Sequence, residues 1–115
     1  MNLTLPSGHV APVEAPTLHR LLACGGTISG LCQAVWAHPD VDADTVIKSA
    51  PGDAYAVALW AVEEFAASDE AAELQTVCER AGQSPSQRLG VTNRVLAFTL
   101  DRDCMLTLHD VQKGH

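Results

Sequence analysis

Aromatic and basic side chains are both scarce in this sequence. Only 4% of its 115 residues are aromatic, so the interior has to be built mainly from leucine, valine and alanine, which favours small, closely packed helices. The 7 basic residues are outnumbered by 14 acidic ones, which gives a formal net charge of −7. A surface of that charge repels phosphate, so the composition argues against binding of nucleic acid or an anionic membrane.

Long apolar runs and targeting signals are missing as well. No run approaches the length of a transmembrane helix, and the start of the chain lacks the basic and apolar regions of a secretory signal. We therefore expect a cytoplasmic protein without a membrane partner. A hydrophobic content of 47% argues against disorder, and the length predicts a single domain spanning residues 1–115.

The cysteines lack the paired spacing of a metal site or a redox site. No CxxC pair occurs among the four cysteines, and their combination with the histidines fits no standard zinc pattern. Each cysteine lies in an apolar helical pattern, which predicts reduced thiols that pack as small hydrophobic groups, with any further role left open. The residues concerned are Cys24, Cys32, Cys78 and Cys104, with His19, His38 and His109.

Residues 1–16 predict a β-hairpin arm. Leu3 and Leu5 alternate with polar residues, Pro6-Ser7-Gly8 supplies a turn, and a second short run extends from His9 to Val13. The helical patterns that follow over residues 17–115 predict a helical core. The fold class is therefore mainly α, with an N-terminal β-hairpin followed by a compact bundle of about five or six short helices.

Polar residues at regular intervals mark where these helices should begin. Gly25-Gly26, His38-Pro39 and Gly82 are typical of helix ends. The segment from Gln83 to Gly90 predicts a loop or a single helical turn. The predicted N-caps are Thr17, Thr27, Asp42, Asp53, Ser68 and Ser84.

The last helix should run from near Asn93 because Leu96, Leu100, Cys104, Leu108 and Val111 recur at helical spacing. A strand over Cys104–Asp110 is the less favoured alternative, since the helical period is unbroken. We expect two sets of large side chains to be buried. They are Val95, Phe98 and Leu106, which should broaden the inner face of this helix, and the pair Trp36 and Trp60.

Two short motifs resemble functional sites but lack essential parts. Asp40-x-Asp42-x-Asp44 resembles the start of a calcium loop, yet Thr45 and Pro51 stand where that loop needs glycine and a bidentate acid. Cys24–Gly30 resembles the glycine-threonine turn of bacterial asparaginases, without their second threonine or lysine-aspartate relay. Asp101 and Asp103 are two positions apart in a predicted helix, so their side chains should point to different faces. We expect both to be ordinary solvated surface residues. We therefore predict no catalytic residue, cofactor or metal, and no enzymatic activity.

Several segments, taken in order, resemble the small tail assembly chaperones of tailed bacteriophages. The similar parts are Leu3–Gly8 with the extended run to Thr17, Ile47–Tyr55 leading into an alanine-rich helix, and Ser84–Gly90 followed by Leu96–Asp101. The resemblance implies a protein of the host cytoplasm that binds the tape measure protein, or the tail-tube protein, during tail assembly. It carries over no catalytic residue.

Apolar helix faces are the expected contacts for such a client. Two other functions stay open at this point: a structural virion component of the tail, baseplate or connector, whose hairpin would extend a neighbour's sheet, and an acidic regulatory or neutralising binder. A homo-oligomer is also open. The candidate partner-binding residues are Leu3, Leu5, Leu18, Leu22, Leu100 and Leu108.

Overall fold

The computed structural model describes residues 1–37 and 51–114. It confirms the mainly α class, with a two-stranded hairpin at the start of the chain and helices after it. His38, the Asp40–Asp44 motif and the predicted Asp42 cap lie outside the described residues. The elements are β1 (Asn2–Thr4), β2 (Val10–Pro12), α1 (Leu18–Cys24), α2 (Ile28–Val35), α3 (Pro51–Ala66), α4 (Asp69–Ala81), α5 (Pro85–Leu89) and α6 (Arg94–Lys113).

The hairpin packs onto the helices. Its strands are antiparallel, with Leu3 opposite Ala11, and the turn uses Gly8 at a φ of +92°, which a side chain would strain. Leu5 and Ala11 belong to the same hydrophobic cluster as the helical core. The strands are therefore held by burial of one face, which a free two-stranded hairpin lacks.

After β2, the chain is fastened to the end of α2. Val13 and Trp36 form an isolated antiparallel bridge. The N–H of Glu14 donates to the carbonyl of Val35 at 2.8 Å, and the N–H of Ala37 donates to the carbonyl of Pro12 at 3.0 Å. These bonds fix the direction in which the chain leaves α2.

Four of the predicted N-caps are confirmed. The backbone of each of these residues is extended, and its side chain accepts a hydrogen bond from an N–H in the first turn of the helix, which satisfies a group that the helix itself leaves unpaired. The four are Thr17, Thr27, Ser68 and Ser84. Asn93, near which the last helix was expected to start, caps α6 in the same way.

Asp53 is not the cap that the sequence predicted. Helix α3 already begins at Pro51, so Asp53 lies inside the first turn, where its side chain is only 2% exposed. Its carboxylate accepts hydrogen bonds from both the N–H and the hydroxyl of Ser7. A carboxylate is favourable at this end of a helix dipole, and here it also tethers the hairpin turn.

The core lies where α3 contacts α2 and where α6 contacts both α3 and α4. Phe65, Leu31 and Leu96 are among its largest fully buried side chains. Close backbone contact also contributes, because a Cβ on Gly26 would lie 2.3 Å from the carbonyl carbon of Gly90. The turn between α1 and α2 is therefore pressed against the end of α5.

Helix α6 is one continuous helix of 20 residues, so the strand alternative for Cys104–Asp110 is wrong. Leu96, Leu100 and Cys104 form its buried face. The expected burial of Val95, Phe98 and Leu106 is also wrong, since all three side chains are exposed. At 3.6 residues per turn they lie on the opposite side of the helix from Leu100.

Trp36 and Trp60 are half-buried at the edge of the core, whereas the sequence predicted that both are buried.

None of the helices in the described ranges combines the length and apolar content that spanning a bilayer requires.

Candidate protein-binding surfaces

An apolar groove lies between α1, α4 and α5. Its volume is about 170 Å³, and one acidic and one basic residue stand among its apolar lining. The side chains of Leu22 and Val77 are about half exposed in it. The lining residues are Leu18, Leu22, Glu73, Leu74, Val77 and Arg88.

Two hydrogen bonds in the first turn of α1 hold one wall of this groove. The N–H of Leu18 donates to a carboxylate oxygen of Glu70 at 3.3 Å, which ties the start of α1 to α4. The guanidinium of Arg20 donates to the carbonyl of Gln33 at 3.0 Å, which ties α1 to α2. A surface whose walls are fixed in this way can bind a partner with little loss of conformational entropy.

One side of the groove, at Arg88, depends on the short helix α5. Ser84 and Gln87 form a capping box around its first turn, with Pro85 at the first helical position. Ser86 is then fixed to α6, because Asp101 accepts a hydrogen bond from its N–H at 2.8 Å and from its hydroxyl at 2.7 Å. Asp101 is thus a structural clamp, and the expectation of an ordinary solvated aspartate is wrong.

A second apolar surface is the outer face of α6, which we define as Val95, Phe98, Arg102, Met105, Leu106 and His109. Four of the nine large hydrophobic side chains that are exposed in the described residues belong to it. Phe98 is 65% exposed and Met105 is 58% exposed. Such a concentration along one helix is unusual for a surface that faces only water.

One charged residue stands in the middle of the outer face of α6. The Cζ atom of Arg102 lies 5.5 Å from the centroid of the Phe98 ring, a cation–π arrangement. Its Nε donates to Asp103 at 2.9 Å, and this hydrogen bond raises the pKa of Arg102. The charge is therefore balanced within the helix, while the alkyl stem of Arg102 remains part of the apolar face.

A second cleft lies between α3 and α6. It has a volume of about 190 Å³ and is bordered by Glu63, Asp103 and Leu106. The hydroxyl of Thr107 donates to the carbonyl of Ala66 and holds the two helices together at this point.

The six leucines predicted as partner contacts are not equivalent. Leu18 and Leu22 meet in the groove, whereas Leu3 and Leu108 are only partly exposed. Leu5 and Leu100 are 4% and 1% exposed. Both belong to the hydrophobic core in this conformation, which corrects their prediction as contacts, because each points to the packed side of its element.

The cysteines are reduced in the structure. Burial raises the pKa of the Cys32 and Cys104 thiols to about 12 each and also raises the pKa of Cys78. A thiol that resists ionisation is a poor nucleophile and a poor metal ligand. Within the described part of the chain, no three His, Cys, Asp or Glu side chains are grouped so that they could hold a metal ion.

Sequence reasoning missed the outer face of α6 as a surface. The signal was present in the spacing of Val95, Phe98, Arg102 and Met105, which follows a three-four repeat.

Comparison of the chain with protein-family models, with curated proteins and with solved structures finds no significant match.

Proposed function

We propose that the chain is a tail assembly chaperone of a tailed bacteriophage, which binds an amphipathic helix of the tape measure protein and performs no catalysis. The single observation that carries the proposal is the apolar groove between α1, α4 and α5. The sequence resemblance to this class of protein supplies the identity of the client.

The groove matches one large side chain in size. Its volume of about 170 Å³ is close to the roughly 150 Å³ of an engineered apolar cavity that takes up benzene. A leucine or phenylalanine on the client helix would fill it, and Leu18, Leu22 and Val77 would cover that side chain. Anchoring of this kind is typical of helix-in-groove recognition.

Charge supports a client helix with basic flanks. The chain has a net charge of −7, whereas Glu73 and Arg88 balance each other in the lining of the groove, so the attraction comes from the surface around it. An acidic chaperone would steer a basic helix towards the groove, and its excess charge would keep an otherwise insoluble complex in solution.

Co-expression with a tape measure protein from the same phage tests the proposal. We expect a soluble complex of the two proteins, and we expect the chaperone to be missing from finished particles by mass spectrometry. A tape measure protein that stays insoluble, or that does not co-purify, would contradict the proposal. Stoichiometric amounts of the chain in purified particles would instead identify a structural component.

A matched pair of variants tests the groove itself. Val77→Glu puts a charge into the groove, whereas Val10→Glu makes the same change at a similarly exposed valine of the hairpin. We expect Val77→Glu to weaken binding of the tape measure protein by at least about tenfold and Val10→Glu to leave it unchanged. Equal effects of the two variants would show that the client binds elsewhere.

A further inference from the structure

The geometry points to the outer face of α6 as a dimer interface, on which a second copy of this chain packs its own α6 in antiparallel orientation. This surface is separate from the groove, so the inference does not depend on the identity of the client.

The spacing of the outer face is that of a helix that pairs with another helix. Val95, Phe98, Arg102 and Met105 follow one another at intervals of three, four and three residues. This is the pattern of the a and d positions in a coiled coil. The buried residues Leu96, Leu100 and Cys104 lie on the opposite side, so a second helix could approach without disturbing the core.

The shape of the surface also favours a helix as its occupant. The groove between α1, α4 and α5 is concave and suits a single side chain, whereas the outer face of α6 is a ridge on a helix of 20 residues. The outer face, from Val95 to His109, spans about 21 Å of it at about 1.5 Å per residue. It fits the grooves of another ridged helix better than it fits a pocket.

Charge decides the orientation and makes the surface complementary to itself. In a parallel pair, Arg102 would face Arg102 of the second copy, and the like charges would repel. In an antiparallel pair, the two-fold axis crosses the outer face of α6 at the level of residue 100 along the helix. Arg102 then faces Phe98 of the second copy, and Val95 faces Met105 of the second copy. One axis serves both pairs, since residues 98 and 102 and residues 95 and 105 share the same midpoint.

The contact between Arg102 and Phe98 within one chain shows that this pairing is chemically favourable. The guanidinium already lies over the ring at 5.5 Å and is balanced by Asp103. A second copy would place another guanidinium on the other side of each ring and remove water from both. The exposed Met105 is polarizable and adapts readily to the facing Val95.

The apolar area is that of a reversible dimer. The four apolar side chains of the outer face are each more than half exposed. An aromatic side chain such as Phe98 has an area on the order of 150–250 Å², and valine, methionine and leucine have less, so two copies would bury less than about 1,200 Å² between them. An interface below that size is typical of weak, reversible association.

Sedimentation equilibrium of the full chain over a wide concentration range tests the inference. We expect a monomer–dimer equilibrium whose dissociation constant rises at least about 100-fold in the double variant Phe98→Glu/Met105→Glu. Leu22→Glu, which adds a charge to the groove, should leave the constant unchanged. All of these positions are exposed, and circular dichroism would confirm that each variant remains folded.

Cross-linking tests the orientation in a Cys24→Ala background, which removes the half-exposed native thiol. Val95→Cys and Met105→Cys are prepared as separate proteins. Mixing them under mild oxidation should give the mixed disulfide dimer, while each protein alone should remain uncross-linked. A chain that stays monomeric at millimolar concentration, a dimer that persists in Phe98→Glu/Met105→Glu, or cross-linking of Val95→Cys with itself would overturn the inference.

Discussion

The buried carboxylate of Asp53 accepts two hydrogen bonds from one residue, Ser7, 46 positions earlier in the chain. One comes from the backbone N–H and one from the hydroxyl, so the serine is held at both its main chain and its side chain. Asp101 binds Ser86 in the same way. Each aspartate lies on a long helix, and each serine lies in a short segment, one in the hairpin turn and the other in α5.

The Asp53 clamp should contribute measurably to stability. Asp53→Asn replaces the charged carboxylate with an amide, and the amide NH2 group cannot accept a hydrogen bond from Ser7. We therefore expect the free energy of unfolding in urea to fall by about 1–3 kcal/mol. Glu64→Gln makes the same change at an exposed carboxylate of α3 and should alter stability by less than about 0.5 kcal/mol. Similar losses in both variants would show that the clamp adds no stability.

The Asp101 clamp can be compared with its neighbour on α6. Asp103 pairs with an exposed arginine, and such surface pairs contribute about 0–1 kcal/mol. Asp101→Asn should therefore lower the melting temperature clearly more than Asp103→Asn. Each kcal/mol lost from the free energy of unfolding lowers the melting temperature by about 4–8 °C. Calorimetry of the two variants checks this order, and the reverse order would contradict the assignment of Asp101.

Gly26 should tolerate no side chain. A Cβ there would overlap the backbone of Gly90 and Val91 at 2.3–2.4 Å, so Gly26→Ala has to separate α5 from the α1–α2 turn. We expect a loss of more than about 3 kcal/mol. Gly52→Ala is the control, because its Cβ meets nothing within 4 Å, and in a helix it should be neutral or stabilising by up to about 1 kcal/mol. Chemical denaturation of both variants provides the comparison.

Thiol reactivity should separate Cys24 from the other cysteines. Cys24 is partly exposed, whereas Cys32, Cys78 and Cys104 are buried. A chromogenic disulfide reagent at pH 8 should therefore label one thiol per chain quickly and the other three only as the protein opens. In denaturant all four should react at similar rates. Rapid labelling of more than one thiol in the folded protein would contradict the buried packing.

Stability should fall in alkaline solution. The folded pKa of Cys32 and Cys104 is about 12, against an ordinary value of 9.0, so both thiols stay neutral in the fold while they ionise in the unfolded chain. Their contribution is fully present below pH 9 and is lost as the pH rises towards 12, by up to about 1.4 kcal/mol per pH unit for each thiol. Urea unfolding at several pH values measures this slope. Cys104→Ala should reduce this slope, because it removes one of the two thiols whose pKa burial raises.

Local rules predicted the helix starts well. Thr17, Thr27, Ser68, Ser84 and Asn93 all cap their helices, because a cap depends on groups within three residues of it. Asp53 and Asp101 were misread because their partners lie 46 and 15 residues away, and nothing in the adjacent sequence indicates such a partner.

The surfaces were predicted less well for a related reason. Leu22 was identified as a candidate contact and lies in the groove, but the groove also needs Val77 and Arg88 from other helices. Phe98 was predicted to be buried because it is hydrophobic. It lies on the side of α6 opposite Leu100, so its side chain faces the solvent. The sequence predicted which residues belong to each helix. Tertiary packing decided which side of α6 is buried against the other helices.

The hairpin at the start of the chain holds two distant places at once. Its last strand is bonded to Ala37, just past the end of α2, and its turn is bonded to Asp53, at the beginning of α3. Removal of the first thirteen residues would therefore release both of these helix ends together, in addition to uncovering the core. We expect this truncation to lower the free energy of unfolding in urea by more than the loss of six strand residues alone would, while α2 and α3 still pack on each other.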